Sequence, residues 1–195
     1  MSADDETMAV YAAEAGRYAD LTGERSPELD VFLGLVTPGG RILDLGCGPG
    51  HDAAVMAGRG FIVDAVDASA EMVAEARARH GLEARVAGFD DIDAEAAYDG
   101  VWASFSLLHA PKADMPGHLH RLHRALRPGG RIMVGLKTGA GEKRDRLGRF
   151  YGYYTRDELV GLMQEAGFTV TSEVVGADAG LDGAVAPWIM VQAHA

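Results

Sequence analysis

The sequence predicts an α/β fold built on a mostly parallel sheet of seven strands. Short apolar runs alternate with longer segments of helical periodicity, which is the pattern of successive βαβ units. A glycine-rich turn joins the first predicted strand directly to a helix. The last two predicted strands follow each other without a helix between them, and such a connection favours antiparallel pairing. We therefore expect a mixed edge on an otherwise parallel sheet.

The individual elements follow from the spacing of apolar residues. Strands are predicted at residues 41–45, 62–67, 84–87, 100–104, 131–136, 169–175 and 188–193. Helices are predicted at residues 8–21, 27–35, 53–59, 70–80, 118–126 and 156–166. No repeat, low-complexity tract or linker separates these elements, so the 195 residues are predicted to form a single domain.

The chain is acidic, with 29 Asp and Glu against 18 Lys and Arg and a net charge of −11. This balance argues against nucleic acid as a partner, because phosphate contacts need clustered Lys and Arg. No apolar run reaches membrane-spanning length, and the N-terminus is too acidic for a signal peptide. The single cysteine, Cys47, cannot form an internal disulfide, which agrees with a reducing compartment. We expect a cytoplasmic protein that does not contact a membrane.

The glycine-rich turn is the most informative motif. Residues 41–52 read RILDLGCGPGHD, with an acid inside the strand and three alternating glycines after it. Glycine lets a polar ligand lie on backbone amides, because no Cβ holds it away. A dinucleotide-binding turn would need glycine at position 51, where this chain has His51, and the Gly-Lys-Ser/Thr of a phosphate-binding loop is absent. The acid, Asp44, instead suits a ligand with an ammonium group.

A second acid lies at the end of the second predicted strand. Asp67 falls at the carboxyl end of that strand, where open α/β sheets bind their ligands. A carboxylate at this place can accept both hydroxyls of a ribose. The alternative is that Asp67 caps the next helix, a role that Ser69 can fill instead. Asp64, earlier in the strand, is expected to face solvent or to cap a turn.

Three motifs together resemble the class I S-adenosylmethionine-dependent methyltransferases, in the small-molecule branch of methyltransferase types 11 and 25. They read LDLGCGPG at residues 43–50, VDASAEM at 66–72 and ALRPGGRI at 125–132. The resemblance covers residues 41–136 and implies a Rossmann-like, doubly wound sheet with helices on both faces. The implied strand order is 3-2-1-4-5-7-6, with strand 7 antiparallel. The implied cofactor is S-adenosyl-L-methionine, with S-adenosyl-L-homocysteine as product.

The resemblance also divides the chain and assigns residues to the cofactor. It implies an N-terminal helical lid at residues 1–37, a cofactor-binding core at 41–136, and a substrate loop with a helix–strand–strand tail at 137–195. The implied cofactor-binding residues are Asp44, Gly46, Cys47, Gly48, Asp67, Ala68, Met72, Phe89, Asp90, Ser104 and Tyr18.

Several of these assignments have alternatives. Cys47 is expected to pack under the glycine turn and not to act as a nucleophile. Met72 has helical spacing from neighbouring apolar residues, which is typical of a core position. Phe89 and Asp90 stand where the family reads the adenine edge, but the adjacent Asp91 makes the register ambiguous, and either acid could belong to a solvated loop.

The segment after the fourth strand should pass beside the transferable methyl. His109 is therefore the candidate general base or substrate hydrogen-bond donor. The alternative is a structural histidine that orients the turn at residues 110–111. His118, His120 and His123 have a spacing found in metal sites, but no Cys or acid pair accompanies them, so we expect a solvated helix face and no metal.

Two further segments are candidates for substrate contacts. Tyr11 and Tyr18 are seven residues apart and share one helix face, so one or both could cover the cofactor or simply pack on the domain. The second specificity candidate consists of Lys137, the loop at residues 138–148 and the aromatic run at residues 149–154, in which Arg149 could bind a carboxylate or phosphate. Alternatively, the tyrosines of this run only support the next helix, whose start carries a capping-box pattern at residues 155–158. The predicted substrate residues are Tyr11, Phe105, Arg149 and Tyr153.

The function that these observations favour is transfer of a methyl group to an O, N or S nucleophile of a small molecule by direct displacement. Such catalysis depends on alignment and exclusion of water, and a general base helps only when the nucleophile starts protonated. One alternative is a catalytically silent module that binds the same cofactor. Another is a nicotinamide-dependent oxidoreductase, which His51 and Asp44 argue against. We expect a monomer or a weak homodimer.

Overall fold

The computed structural model describes residues 4–21 and 26–195. The helices within these residues are α1 (Asp5–Leu21), α2 (Pro27–Leu33), α3 (His51–Gly58), α4 (Ala70–His80), α5 (Met115–Ala125) and α6 (Arg156–Glu165). The strands are β1 (Arg41–Leu45), β2 (Ile62–Asp67), β3 (Arg85–Val86), β4 (Tyr98–Ser104), β5 (Leu126–Lys137), β6 (Glu142–Arg144), β7 (Phe150–Gly152), β8 (Thr169–Ala179) and β9 (Val185–His194).

Seven strands form one mixed sheet in the order β3-β2-β1-β4-β5-β9-β8. The first five pair in parallel, whereas β9 runs antiparallel to both β5 and β8. Since β8 and β9 are the sixth and seventh strands of this sheet along the chain, the predicted order 3-2-1-4-5-7-6 with an antiparallel strand 7 is confirmed. The carboxyl ends of the five parallel strands therefore meet at one edge.

The structure differs from the sequence prediction beyond β5. The segment predicted as a loop at residues 138–148 contains β6, which pairs with β7 as a small separate hairpin. The last two sheet strands are also longer than predicted, because Ala179 pairs with Val185 across a short turn. Gly, Ala and Asp are poor strand formers, so these extensions depend on cross-strand pairing that local propensity does not reveal.

Helices cover both faces of the sheet. Because successive side chains of a strand point to opposite faces, Ile42 of β1 packs with α2 and α3 on one face and Leu43 packs with α5 and α6 on the other. On the first face Phe32 of α2 lies against Trp102, with ring centroids 5.2 Å apart, and both are fully buried. Helix α2, which the sequence placed in the lid, is thus part of the layer that covers the sheet.

Helix α1 lies over the carboxyl ends of the parallel strands and packs against α4. At its start, the carboxylate of Asp4 accepts hydrogen bonds of 2.7 and 2.8 Å from Arg144 of the small hairpin. At its end, the ring of His51 donates from Nε2 to the carbonyl of Ala19 at 2.9 Å. The helix is fixed at both ends and closes the site that lies below it.

Candidate active site

The glycine turn after β1 forms the floor of the site. Gly46 and Gly48 have φ values of +76° and +53°, which side chains rarely allow. A Cβ on Gly46 would lie 2.3 Å from Cβ of Ser106, so the turn also needs glycine for close packing. A Cβ on Gly48 would lie 3.6 Å from the ring of Tyr18. The turn thus offers bare backbone directly beneath α1.

The carboxylate of Asp67 joins the turn to the start of α4. One oxygen accepts the amide of Gly48 at 2.8 Å and the other accepts the amide of Ser69 at 2.9 Å. The hydroxyl of Ser69 caps the helix by accepting the amide of Met72, as the sequence predicted. A carboxylate has about four acceptor positions, so lone pairs remain on Asp67 for hydroxyl donors. Burial raises the pKa of Asp67, against the effect of its amide partners.

Asp44 lies beneath the turn and is almost completely buried. Its Oδ2 atom has no hydrogen-bond partner among the described residues. Burial and the nearby carboxylates of Asp52 and Asp67 raise the pKa of Asp44 well above its usual range. A buried carboxylate without a partner costs free energy unless a cationic or donor group compensates it. The amide of Ala53 already bonds this carboxylate, and its unpartnered Oδ2 atom is an acceptor suited to a ligand that carries an ammonium group.

A narrow cleft of about 70 Å³ opens above these groups. Its lining outside α1 consists of Asp4, Gly46, Gly48, Asp67, Ala68, Met72, Ala87, Gly88, Phe89, Ser104, Phe105, Ser106 and His109. Cys47 does not line it, because the side chain points into an alanine-rich cluster with Ala53 and Ala65. Burial raises the pKa of the Cys47 thiol, so the expected packing role fits and a nucleophilic role does not.

A larger cavity of about 500 Å³ lies on the other side of a shared wall. Four residues line both spaces: Tyr11, Tyr18, Phe105 and His109. Phe105 follows β4 with a φ of +54°, an uncommon conformation for a residue with a bulky side chain. Its amide is held by the carbonyl of Gly135 at 3.0 Å, which fixes the ring between the two spaces.

His109 is held by two hydrogen bonds that define its tautomer. A carbonyl can only accept, so Nδ1 carries the proton and donates to the carbonyl of Phe150 at 2.7 Å. Nε2 of the neutral ring must then accept from the hydroxyl of Tyr11, also at 2.7 Å. Burial lowers the pKa of His109 to about 4, so the ring is neutral at physiological pH. Its basic nitrogen faces Tyr11 and not open cavity.

Arg149 does not offer a free charge to the cavity. Its side chain is 2% exposed and donates to Asp145 from Nη2 at 2.7 Å and from Nε at 2.9 Å. Its Nη1 atom lies 3.2 Å from the hydroxyl of Tyr11 and donates to it. The predicted binding of a substrate anion is thus not supported, because Asp145 already neutralises the guanidinium. Arg149 instead positions Tyr11.

Asp90 lies outside the cleft, although its neighbour Phe89 enters it. Consecutive side chains diverge in the short 3₁₀ turn at Phe89–Asp91, so Asp90 points towards α5. There one carboxylate oxygen lies 3.8 Å from Nδ1 of His118 and 3.8 Å from Arg121. His118 was expected on a solvated face, but it is buried beside Phe89 because α5 turns this side to the sheet. His120, on the opposite side of α5, is exposed.

Tyr153 also lies outside the cavity, and Tyr151 takes the place expected for it. The two side chains are two residues apart on the same side of the hairpin, with ring centroids separated by 6.0 Å. Side chains at this spacing are about 7 Å apart along a strand, so only the nearer ring reaches the cavity. Tyr151 is buried, and Tyr153 lies beyond it.

Asp64 differs from its predicted role as a solvated or turn-capping acid. Its carboxylate accepts from two nitrogens of Arg41 and from the hydroxyl of Tyr98 at 2.9 Å. Arg41 starts the neighbouring strand β1 in register with β2, which brings the guanidinium to Asp64. The residue belongs to the amino-terminal end of the sheet and is remote from the site.

Two further residues line the cavity: Lys137, which the sequence places in the second specificity candidate, and Trp188, which the sequence does not identify. They are paired in register across β5 and β9, so the antiparallel final strand brings Trp188 beside the end of β5. The signal for Lys137 is its position at the carboxyl end of β5, beside the expected substrate loop. Trp188 carries no comparable local signal.

The fold and the cleft define a doubly wound α/β protein with a ligand site at the carboxyl ends of its parallel strands. A model of the methyltransferase domain family Methyltransf_25 matches residues 42–130. The chain is 35% identical over 140 residues to a ubiquinone biosynthesis O-methyltransferase of Xanthomonas oryzae pv. oryzae, which covers 64% of this chain and 57% of the relative. It is 36% identical over 132 residues to the methyltransferase GfsG of Streptomyces halstedii, which covers 63% of this chain and 44% of the relative.

A solved structure extends the likeness to the whole chain. Burkholderia thailandensis 1,6-didemethyltoxoflavin-N1-methyltransferase, with bound 1,6-didemethyltoxoflavin and S-adenosylhomocysteine, matches with a TM-score of 0.75 and 25% identity. The match covers 100% of this chain and 91% of that protein. In its motifs and in its fold the chain is therefore similar to the class I S-adenosylmethionine-dependent methyltransferases, whose cofactor is S-adenosylmethionine. The bare glycine turn and the unpartnered Oδ2 atom of Asp44 fit S-adenosylmethionine, since it presents an ammonium group, a ribose and a sulfonium.

Two other features are not found in the described residues. Among residues 4–21 and 26–195, no helix combines the length and the apolar character that are needed to cross a bilayer. In the same part of the chain, no three His, Cys, Asp or Glu side chains are grouped so that they could hold a metal ion.

Proposed function

We propose that this chain catalyses transfer of the methyl group of S-adenosylmethionine to an O, N or S nucleophile of a small molecule. The observation that carries the proposal is the wall shared by the cleft and the cavity. A reactant in the cleft and a reactant in the cavity would meet only at Tyr11, Tyr18, Phe105 and His109. When bound, the cofactor supplies an electrophilic methyl, and the residues of this chain align the two reactants and exclude water.

The relatives support a small acceptor of this kind. One is named for ubiquinone biosynthesis as an O-methyltransferase, and the solved structure holds 1,6-didemethyltoxoflavin as the ligand of an N1-methyltransferase. The chain spans little more than half the length of the first of these. A cavity of about 500 Å³ has the size of a small-molecule site.

We assign the cofactor contacts to the residues of the cleft. Asp67 would accept the ribose hydroxyls through its remaining lone pairs, and Ala68, Met72 and Phe89 would enclose the adenine. The turn amides and Asp44 would hold the methionine part, with Tyr18 above it. Asp67→Asn keeps the size of the side chain but loses the charge and two acceptor positions, so affinity should fall by about tenfold or more.

We assign proton transfer from a protonated acceptor to Tyr11 and His109. The hydroxyl of Tyr11 donates to Nε2 of His109 and accepts from Arg149, and the hydroxyl of Tyr151 is also within its reach, so an acceptor hydroxyl would use the remaining lone pair in place of Tyr151. The acceptor proton would pass to the Tyr11 oxygen as the Tyr11 proton passes to Nε2. The acceptor oxygen would then attack with a full lone pair, and His109 would carry the extra proton until it is released to water.

The proton relay predicts a loss of turnover without a loss of cofactor affinity. Tyr11→Phe keeps the ring of the shared wall but removes the hydroxyl, and kcat for a hydroxyl acceptor should fall by about 100-fold. Tyr98→Phe is the matched control, because the Tyr98 hydroxyl bonds Asp64 far from both cavities. Equal kcat values for the two variants would remove Tyr11 from the mechanism.

The experiment that tests the proposed function has two stages. Calorimetry with S-adenosylmethionine, S-adenosylhomocysteine and NADH identifies the ligand of the cleft, and we expect both sulfur compounds to bind and NADH not to bind. Transfer of labelled methyl to a panel of small hydroxyl, amine and thiol compounds then separates an enzyme from a silent binding module. Binding of neither sulfur compound would reject the proposal.

Three expectations from the sequence stay predictions. The division into a lid, a cofactor core and a substrate tail is proposed with α1 alone as the lid, and deletion of residues 1–21 should weaken cofactor binding. Sedimentation velocity should give a monomer or a weakly associating dimer. A cytoplasmic location is expected and can be tested by fractionation.

A further inference from the structure

The cavity beyond the shared wall has apolar aromatic sides. Phe105 and Trp188 meet edge to face with ring centroids 6.1 Å apart. Tyr151 forms another side and is buried. Flat rings at such walls favour a flat ligand, because stacked and edge-on contacts bury large areas at little cost in side-chain entropy. The space between them is therefore suited to a planar aromatic molecule.

Most charged groups that line this cavity already have partners. Arg17 donates to Glu14 at 2.9 Å, and Arg149 is bound to Asp145. The carboxylate of Asp182 accepts the amide of Ala184 at 3.1 Å and lies 3.7 Å from Arg146. Asp178 is exposed at the rim and accepts the indole N–H of Trp188.

Lys137 is the exception. Within the described residues its Nζ atom has no carboxylate within 4.0 Å and no hydrogen-bond acceptor. The ammonium lies over the ring of Tyr151, 4.2 Å from the centroid, and the side chain is half-buried in the cavity wall. Burial and the charge of Arg149 lower the pKa of Lys137, whereas the carboxylates of Asp182 and Asp145 raise it from beyond ion-pair distance, so an anion in direct contact with the ammonium would be stabilising.

We infer that Lys137 is an acceptor-binding residue that takes the anionic oxygen of a planar aromatic acceptor, such as a carboxylate or an acidic hydroxyl. The inference rests on the proposed function, since it names the class of molecule that fills the acceptor cavity. The aromatic walls hold the ring, Lys137 holds the anionic oxygen, and the wall shared with the cleft faces the atom that accepts the methyl. Arg149 cannot replace Lys137, because Asp145 saturates its charge.

The chain offers a matched control for the lysine. Lys143 also lies over a tyrosine ring, with Nζ 4.6 Å from the centroid of Tyr153, but it does not line the cavity. Lys137→Met and Lys143→Met each remove one cation from an aromatic ring at similar geometry. Lys137→Arg keeps the charge at the cavity.

The test measures binding of three para-substituted phenols whose substituents are anionic, neutral and cationic: 4-hydroxybenzoate, the nearly isosteric 4-hydroxybenzamide, and 4-hydroxybenzylamine. Calorimetry is performed with and without saturating S-adenosylhomocysteine. The wild type should bind the benzoate about tenfold more tightly than the amide, and the amine most weakly. Lys137→Met should remove the preference for the benzoate, whereas Lys143→Met and Lys137→Arg should retain it.

Either of two results would overturn the inference. The first is a wild-type protein that binds the benzoate no better than the amide, or that binds none of the probes. The second is a preference for the benzoate that survives in Lys137→Met. The wild-type comparison alone decides the first, so the test does not depend on the variant folding. Binding of S-adenosylhomocysteine is measured separately. If S-adenosylhomocysteine does not bind, the proposed function is rejected. The probe series measured without S-adenosylhomocysteine still tests the role of Lys137.

Discussion

Acidification should destabilise this protein through His109. The ordinary histidine pKa of 6.5 describes the unfolded chain, whereas burial lowers the pKa to about 4 in the folded protein. Between these values the unfolded chain binds a proton that the folded chain does not. The free energy of unfolding must therefore fall as the pH falls through this window, with the contribution of His109 complete below about pH 4.

The size of the effect follows from the two pKa values. Between pH 7 and pH 5 the contribution of His109 amounts to about 2 kcal/mol, and it reaches about 3 kcal/mol at pH 4 and below. With a urea dependence of about 2 kcal/mol per molar, the unfolding midpoint should move by about 1 M between pH 7 and pH 5. Trp102 and Trp188 are the two tryptophans of the chain and report unfolding by fluorescence.

A variant isolates this contribution from the other titrating groups. His109→Gln can donate to the carbonyl of Phe150 and accept from Tyr11 but takes up no proton. Burial raises the pKa of Asp44 and of Asp67, and such shifts act in the opposite direction, but they are present in both proteins and cancel in the difference.

Between pH 7 and pH 5 the free energy of unfolding of the wild type should therefore fall by about 2 kcal/mol more than that of His109→Gln. His120→Gln, at an exposed position of the same chain, should behave like the wild type. If wild type and His109→Gln lose the same free energy over this range, the neutral buried state of His109 is refuted.

Two further predictions concern stability and the turn. Gly46→Ala would place a Cβ 2.3 Å from Ser106 at a φ of +76°, so it should lower the free energy of unfolding by about 1–3 kcal/mol. It should also prevent binding of S-adenosylhomocysteine, measured by calorimetry. Gly58→Ala is the control: a Cβ at Gly58 meets open space, so this variant should be neutral or stabilising. Arg149→Met leaves the buried acid of Asp145 unpaired and should cost about 3–5 kcal/mol in urea unfolding, and an unchanged midpoint would show that the pair is not needed for stability.

The cofactor half of the site could be predicted from sequence because its residues lie in short, contiguous motifs. The turn after β1 and the end of β2 are each local, and the parallel pairing of β1 and β2 brings Gly48 to Asp67. The sequence alone shows why glycine is needed in the turn after β1 and why an acid is expected at the end of β2, because both depend on the local backbone. The position of Asp90 could not be predicted in this way, because the direction of its side chain in the 3₁₀ turn depends on its contact with His118 of α5.

The acceptor half could not be predicted in the same way, because it depends on long-range pairing. Trp188 reaches the cavity only through its register with Lys137, and Tyr151 reaches it through a hairpin whose first strand was expected to be a loop. The role of Arg149 depends on an acid four residues earlier, Asp145, which folds back to neutralise it. Local sequence patterns indicate that cationic and aromatic residues follow β5, but they do not show which cation lacks an ion-pair partner.

The charges on the two sides of the shared wall give the proposed reaction a physical basis. The cleft side holds the carboxylate of Asp67, with the buried acid Asp44 beneath it, and these acids suit a cationic reactant. The cavity side holds the ammonium of Lys137, which has no ion-pair partner among the described residues and suits an anionic one. Methyl transfer neutralises the sulfonium together with the negative charge that develops on the accepting oxygen as its proton leaves, so the charge at the reacting atoms is dispersed in the transition state, while the anionic oxygen on Lys137 keeps its charge. Water opposes such a reaction because it solvates the reactants better than the transition state. A shared wall that includes Tyr11 and Phe105 would exclude water from the reacting atoms and so remove this unfavourable effect. The fixed charges behind each reactant would keep the two reactants aligned.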